Sequence, residues 1–245
     1  MTLTVVIITK NEEKDLGRTL NSLKFADEVL VVDSGSTDKT IAIARQTGAR
    51  VVIHHFDSYS EQRNFADSLV TNDWVLSIDA DVVITKELAD EIRIAIEKGS
   101  CVAYLIGRIN IIWGREVGVA DWGPKDDNHI WLYKKGSGKW VSEVHEEFVT
   151  NSNTGQLKNN FIHYNYETVS EFIDKINSYS EIASNKKNTI SWLSPIIDFG
   201  KRYLYKLGFT AGYHGLFLSY LQAVYYVTLK VKTWQKQYTQ SNSVL

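Results

Sequence analysis

The chain has a single cysteine, Cys101, in 245 residues. One thiol excludes a disulfide scaffold and a cysteine zinc site, and it fits a reducing compartment. Neither sign of charge is in excess, with 27 Lys and Arg against 29 Asp and Glu. Nothing global therefore points to nucleic acid or to an acidic ligand, and no nucleic-acid partner is expected. The N-terminus, MTLTVVIITK, has no basic stretch ahead of its apolar run and no small-residue cleavage site, so no signal peptide is expected. Internal repeats and low-complexity segments are also lacking. The first apolar run is followed by TKNEE, which is acidic and has no glycine before Gly17. That speaks against a glycine-rich, basic phosphate loop and hence against a nucleotidyltransferase acting on a sugar phosphate.

What is present suffices for a sizeable core: 44% of residues are hydrophobic and 23% charged. Aromatic residues are plentiful, with seven Trp, thirteen Tyr and nine Phe. They can serve packing, sugar stacking or a membrane interface.

LTVVIIT is a continuous β-branched run, as expected of a strand buried on both faces. Asn11 is expected to cap the next helix, with Glu12 and Glu13 in its first turn and Leu16, Leu20 and Leu23 on its apolar face. EVLVVD reads as a second strand and SGSTDKT as a turn, with Asp38 capping a helix that carries Ile41, Ala42 and Ala44. ARVVIH is a third strand, residues 59–70 a helix, and DWVLSID a fourth strand. Residues 85–97 form a helix capped by Thr85. This alternation predicts right-handed βαβ units and a mostly parallel sheet with helices on both faces. Ligands bind such sheets beyond the carboxyl ends of the strands. TKNEE, DSGSTD and DAD all fall at those ends.

After residue 100 the pattern changes, and we expect strands at CVAYLIGRINIIWG and HIWLYKK, a strand or loop at KWVSEVHEEFVT, and NNFIHYNY ahead of a helix over 168–187. We expect a domain over 1–185 and a basic, aromatic, helical extension over 186–245. That extension holds eight Lys or Arg and one acid, Asp198. Its most apolar stretch, GLFLSYLQAVYYVTLKVK, is broken by Ser219, Gln222 and Thr228 and is marginal for the about 20 residues of a membrane span. Basic flanks and Tyr/Trp edges fit an interfacial helix better, giving peripheral membrane contact through 200–240. The plainer alternative is a terminal helix packed on the domain or on a partner subunit.

Asp79 and Asp81 leave the fourth strand one residue apart. Hard cations such as Mg²⁺ or Mn²⁺ prefer oxygen ligands and leave positions open for phosphate oxygens. A carboxylate pair here can hold a metal that bridges a diphosphate, or be a solvated turn. Asp33 can accept hydrogen bonds from a ribose or a base, or cap the SGST turn. Asn11 and Glu12 can reach a nucleotide, or serve capping alone. Arg63, beside Asn64 in YSEQRNFA, offers a fixed fork of donors to a phosphate or to an acid. In WVSEVHEEF, an extended chain puts Glu143, His145 and Glu147 on one face and Glu146 on the other with Val144 and Phe148. A carboxylate here can act as general base, and His145 can be a third metal or phosphate contact. His54, His55, His129, His163 and His214 lack ligand-like spacing and are expected to be structural or surface residues. His163 is set apart by its apolar strand.

TVVIITKNEE, VLVVDSGSTDKT, YSEQRNFA, VLSIDAD and WVSEVHEE, in this order, resemble the family-2 inverting glycosyltransferases. The resemblance is to the branch that includes bacterial lipopolysaccharide core β-1,4-glucosyltransferases. It covers residues 2–85 strongly and continues to about 165. It implies a nucleotide-diphospho-sugar transferase fold, an α/β domain with a mixed sheet. It also implies inverting, metal-dependent transfer of a hexose, glucose in that branch, from a UDP-sugar to a glycan, lipid-linked or lipopolysaccharide-core acceptor. On the resemblance, Thr9, Asn11, Glu12, Asp33, Arg63, Asn64 and Asp79 line the nucleotide sugar. Asp81, with Asp79 and His145, holds Mg²⁺ or Mn²⁺, and Glu146 matches an active-site position. Many members carry an ED pair as base; this chain has SEVHEE instead, which leaves Glu143, Glu146 and Asp127 as bases, Glu146 preferred on the resemblance. Cell-envelope biosynthesis at the inner face of the cytoplasmic membrane follows. A non-catalytic membrane-surface binding protein on the same fold is the remaining alternative.

Overall fold

The computed structural model describes residues 1–142, 146–185 and 191–242. In chain order the strands of the first hundred residues are β1 (Leu3–Thr9), β2 (Glu28–Asp33), β3 (Arg50–Ile53), β4 (Trp74–Asp79) and the two-residue β5 (Val82–Val83). They alternate with helices α1 (Leu16–Asn21), α2 (Thr40–Gln46), α3 (Tyr59–Leu69) and α4 (Lys86–Lys98). Then follow β6 (Ala103–Ile112), β7 (Arg115–Glu116), β8 (Asn128–Lys134), β9 (Lys139–Val141), β10 (Glu147–Val149), β11 (Thr154–Gln156) and β12 (Phe161–Tyr166). Helix α5 (Val169–Ser184), helix α6 (Ser194–Gly200), a π-helical turn (Lys201–Tyr205), a 3-10 turn (Gly208–Ala211) and helix α7 (Tyr213–Asn242) complete the chain.

The main sheet runs β3-β2-β1-β4-β8-β6-β12-β5, with β7 and β11 joined to β6. β1 to β4 are parallel; the apolar runs of β1, β2 and β4 fit strands covered on both faces, every residue of β1 is buried, and β3 is the half-exposed edge. β8 adds antiparallel to β4 and β6 antiparallel to β8, which makes the sheet mixed. β9 and β10 form a separate antiparallel hairpin. The fold is the expected α/β sheet with helices and a helical C-terminal segment.

Register sets out the functional edge. Thr9 stands opposite Asp33, and Ile8 opposite Asp79. The carboxyl ends of β2, β1 and β4 therefore form one row, with Asp33, Thr9 and Asp79 along it.

Local sequence explains the starts of three helices, whereas α2 begins after Lys39 and not at the expected Asp38, whose Oδ1 accepts from Thr40 N–H at 3.0 Å. Ser58 caps α3 by accepting from Glu61 N–H, and Thr85 caps α4 by accepting from Leu88 N–H. Thr168 and Glu171 form a capping box at α5. The first helix is a correction. It starts at Leu16, and Asn11 does not cap it. Asn11 has φ +56°, outside the extended region an N-cap needs, and its Oδ1 accepts from Thr37 N–H at 2.9 Å. Glu12 and Glu13 lie in the loop before the helix. Glu13 Oε2 takes Lys39 N–H, so the two loops are stitched together instead.

The chain divides into two compact units. The first is residues 1–109 and 124–164; the second is 110–123 and 165–245. The first unit's core is the apolar interior around β1, β2, β4 and α4, with Trp74, Trp131 and Trp140 buried in it. The second unit includes the whole 186–245 extension. Its core joins Ile112, Val117, Tyr166, Phe172, Ile176 and Leu218. No described helix is long and apolar enough to cross a membrane.

Candidate active site

The DAD turn is pinned from both sides. Thr19 Oγ1 donates to the Ala80 carbonyl at 2.6 Å, and Tyr164 N–H donates to the Asp81 carbonyl at 3.0 Å. β5 pairs antiparallel with β12, placing Val82 opposite His163. That register brings His163 Nε2 to 3.2 Å from Asp81 Oδ2. Asp79, Asp81 and His163 each offer a ligand atom, and these atoms lie within 4.8 Å of one another. Two carboxylates and one imidazole suit Mn²⁺ or Mg²⁺ in a site that also admits phosphate oxygens. The donor set therefore fits the expected metal, with His163 as the third member. His145, expected in that place, and Glu143 lie outside the described residues.

Asp79 is held by two guanidinium groups. Arg63 Nη2 donates to its Oδ1 at 2.5 Å and Arg108 Nη2 to its Oδ2 at 3.0 Å. Burial pushes this carboxyl up, but Arg63 and Arg108 outweigh burial and hold it well below the usual carboxylate range. Asp79 is thus ionised with both oxygens engaged, which leaves Asp81 and His163 better placed as direct ligands.

Arg63 is fully buried, and a buried guanidinium must be paired. Its second and third hydrogen-bond partners are Ser77 Oγ, accepting from Nη1 at 2.8 Å, and Glu146 Oε1, accepting from Nε at 3.0 Å. The guanidinium also lies over the Trp140 ring at 4.7 Å from the centroid. Burial opposes the charge, while Asp79 and Glu146 raise the pKa above the ordinary arginine value. Of the two partners expected for this fork, phosphate or acid, the structure supplies acids. Asn64, next in α3, has both ends of its amide bonded to the Trp140 backbone, at 2.9 and 3.0 Å, so it anchors β9.

At the neighbouring strand ends, the Asp33 carboxylate folds into its own turn. Oδ1 accepts from Gly35 and Ser36 N–H at 2.9 and 2.8 Å, and Oδ2 from Ser36 Oγ at 2.5 Å. Glu12 N–H donates to Thr40 Oγ1 at 2.7 Å. The Thr9 hydroxyl is buried with no hydrogen-bond partner among the described residues, a donor and acceptor held in the row with Asp33 and Asp79.

Sequence reasoning missed Arg108 and undervalued His163. Arg108 also sits over Trp131, 4.3 Å from the centroid, and 3.9 Å from Asp127, which in turn lies 3.3 Å from His129. A signal for His163 was available: it alternates with Phe161 on the buried side of a strand, and a buried imidazole needs a partner.

Residues 4–164 match the family described as glycosyl transferase family 2. A protein from Rickettsia conorii described as an uncharacterized glycosyltransferase is 48% identical over 111 residues, 45% of this chain and 39% of that one. The match thus spans about two fifths of that curated relative's length. The lipopolysaccharide core biosynthesis glycosyltransferase LpsC of Rhizobium meliloti is 29% identical over 85% of this chain and 77% of its own. The crystal structure of S. aureus TarS 1-349 in complex with UDP-GlcNAc covers 97% of this chain and 92% of its own, with a TM-score of 0.53 and 15% identity, a likeness of fold. Family, fold and the row of strand-end residues agree, and the chain belongs to glycosyl transferase family 2.

Proposed function

We propose that this protein transfers a hexose, glucose on the sequence resemblance, from a UDP-sugar to a hydroxyl of a lipopolysaccharide-core or lipid-linked acceptor, with inversion. The observation that carries this reading is the cluster of Asp79, Asp81 and His163 in the same row of strand ends as Thr9 and Asp33. The UDP-GlcNAc complex of TarS, a protein of the same fold, supports a nucleotide-sugar donor. The likeness to LpsC supports a lipopolysaccharide-core acceptor.

Asp81 and His163, with Asp79 behind them, would hold Mn²⁺ or Mg²⁺, which when bound neutralises charge developing on the leaving diphosphate. Thr9, Asn11, Glu12 and Asp33 would line the nucleotide, the buried Thr9 hydroxyl bonding to it. Arg63 fixes Asp79 and Glu146 relative to each other. The acceptor oxygen attacks the anomeric carbon opposite the leaving group, the bond to the diphosphate breaks with its electron pair going to UDP, and Glu146 takes the acceptor's proton. General-base help of this kind is worth about 10²–10⁴ in rate. A lipid-linked acceptor would place the enzyme at the inner face of the cytoplasmic membrane.

Calorimetric titration of UDP with and without Mn²⁺, followed by UDP release from a panel of UDP-sugars, tests the reading. Metal-dependent binding and turnover of one sugar are expected. No UDP binding in either condition would remove it.

A further inference from the structure

Helix α7 has two faces, and only one of them is covered. Leu218, Ser219, Leu229 and Thr233 are buried. On that side Lys232 Nζ reaches the Asn177 carbonyl at 2.7 Å and Lys236 Nζ reaches Glu181 Oε1 at 2.6 Å, tying α7 to α5. The other face carries Phe217, Tyr220, Val227, Val231, Trp234 and Tyr238, spaced three, four or seven residues apart. They are between 46% (Val231) and 63% (Tyr220) exposed. Side chains at these spacings share one helix face. The stripe runs most of the length of a 30-residue helix, about 45 Å. A second stripe of the same kind precedes it. Leu193, Ile196, Ile197 and Leu204 follow helical spacing across α6 and the π-helical turn, and all are more than half exposed. Isolated exposed apolar residues are ordinary; two periodic stripes in one unit are not.

The chemistry of the stripe separates its two candidate occupants. A second copy of the helix would pack as a coiled coil, which wants branched aliphatic knobs and complementary charges beside the seam. Here the seam begins with Tyr213, Phe217 and Tyr220 and ends with Trp234 and Tyr238, with valines between. The helix contains three lysines and no acid, so paired copies would set like charges together. A bilayer surface fits both features. Tyr and Trp place an apolar body in the acyl boundary and a polar tip in the headgroups. The only Asp or Glu from residue 186 onward, Asp198, is buried and bonded by Arg202, so no acidic side chain of this segment is presented to anionic headgroups. The stripe keeps to one face along the helix, as it would for one lying flat, and no described helix is long and apolar enough to cross a bilayer.

We propose that the outward stripe of α7, with that of α6, is a membrane-docking surface on which α7 lies in the plane of the interface. This rests on the reading that the protein works at a membrane, and on nothing about which sugar it transfers. The test is flotation of the full 245-residue chain with phosphatidylcholine vesicles, with and without phosphatidylglycerol. The protein should float with both and more strongly with the anionic lipid. The triple variant Tyr220→Asp, Val227→Asp, Trp234→Asp should lose at least about tenfold in partitioning, with unchanged circular dichroism and melting. The conservative pair Tyr220→Phe, Trp234→Phe should keep it. Undiminished flotation of the folded triple variant would overturn the surface while leaving the membrane reading in place. A wild-type chain that binds neither vesicle would overturn both. A concentration-dependent dimer abolished by the same substitutions would assign the stripe to a second copy and overturn the proposal.

Discussion

Glu146 Oε1 accepts a hydrogen bond from Arg63 Nε at 3.0 Å, although 83 residues of chain separate them. The same guanidinium holds Asp79, so a residue of the VHE segment and a residue of the DAD turn share one cation. A carboxylate fixed in this way is placed to receive a proton always from the same direction. Asp127 offers the competing carboxylate, paired with His129 and close to Arg108.

Comparing Glu146→Gln with Asp127→Asn separates the two. Loss of a general base should lower kcat on the order of 10²–10⁴ with little change in donor KM. That loss is expected in Glu146→Gln, and a change of about tenfold or less in Asp127→Asn. The reverse pattern, read from initial rates of UDP release, would move the base to Asp127.

Arg63 is a structural as well as an electrostatic hub, so its replacement should act on folding. Arg63→Met leaves Glu146 without this partner and Asp79 with Arg108 alone. Breaking a buried ion pair typically costs about 3–5 kcal/mol, and a loss of that order in denaturant stability is expected. Arg63→Lys keeps the charge but not the fork, and should fall between. Equal stability of all three proteins would show that the network contributes nothing net.

Asp81 and His163 make the metal site a prediction about two residues 82 positions apart. Asp81→Asn and His163→Ala should each weaken Mn²⁺ binding by at least about 10–100-fold, the range already seen for lesser perturbations of metal sites. Direct titration of the metal, without donor, reads this independently of turnover. Unchanged affinity in His163→Ala would return the imidazole to a purely structural part.

These contrasts show what the sequence could carry. The strands β1, β2 and β4 were legible because burial on both faces writes continuous apolar runs, the half-exposed edge strand β3 because its Val51–Val52–Ile53 run is β-branched, and α4 because Thr85 marks its start. The row of Asp33, Thr9 and Asp79 follows from parallel pairing of those runs. The start of α1 was misread because a local signal, Asn11 before two acids, lost to bonds with a loop 26 residues away. Glu146 was read on the same face as Phe148, which is buried, while Glu147 is exposed. His163 joins Asp81 through β5, a strand of two residues with no periodicity to read. Arg108 sits on β6 with partners named only by tertiary structure. Local order was written in the chain; the ion pairs were set by the packing of α3 against distant residues and by register between β5 and β12.

Asp67 lies one turn beyond Arg63 on α3 and gives the protein a titration to measure. Tyr133 Oη donates to both of its oxygens, at 2.8 and 3.0 Å, and Trp140 Nε1 donates to Tyr133 Oη at 3.0 Å. Burial raises this carboxyl from 3.8 to about 6, against the hydrogen bond from Tyr133 and the attraction of Arg63. Between about pH 4 and pH 6 the folded chain keeps a proton that the unfolded chain has lost. Stability contributed by Asp67 therefore falls as the pH rises through that window. Asn in its place keeps an oxygen acceptor for Tyr133 and does not titrate. The stability of wild type relative to Asp67→Asn should decline from about pH 4 to pH 6, by a total on the order of 3 kcal/mol, and level off above pH 7. Urea unfolding of both proteins across this range checks it. A difference that stays flat with pH would mean that Asp67 is ionised in the folded protein at an ordinary pKa. The Tyr133 hydroxyl bonds would then stabilise its charge more than burial opposes it.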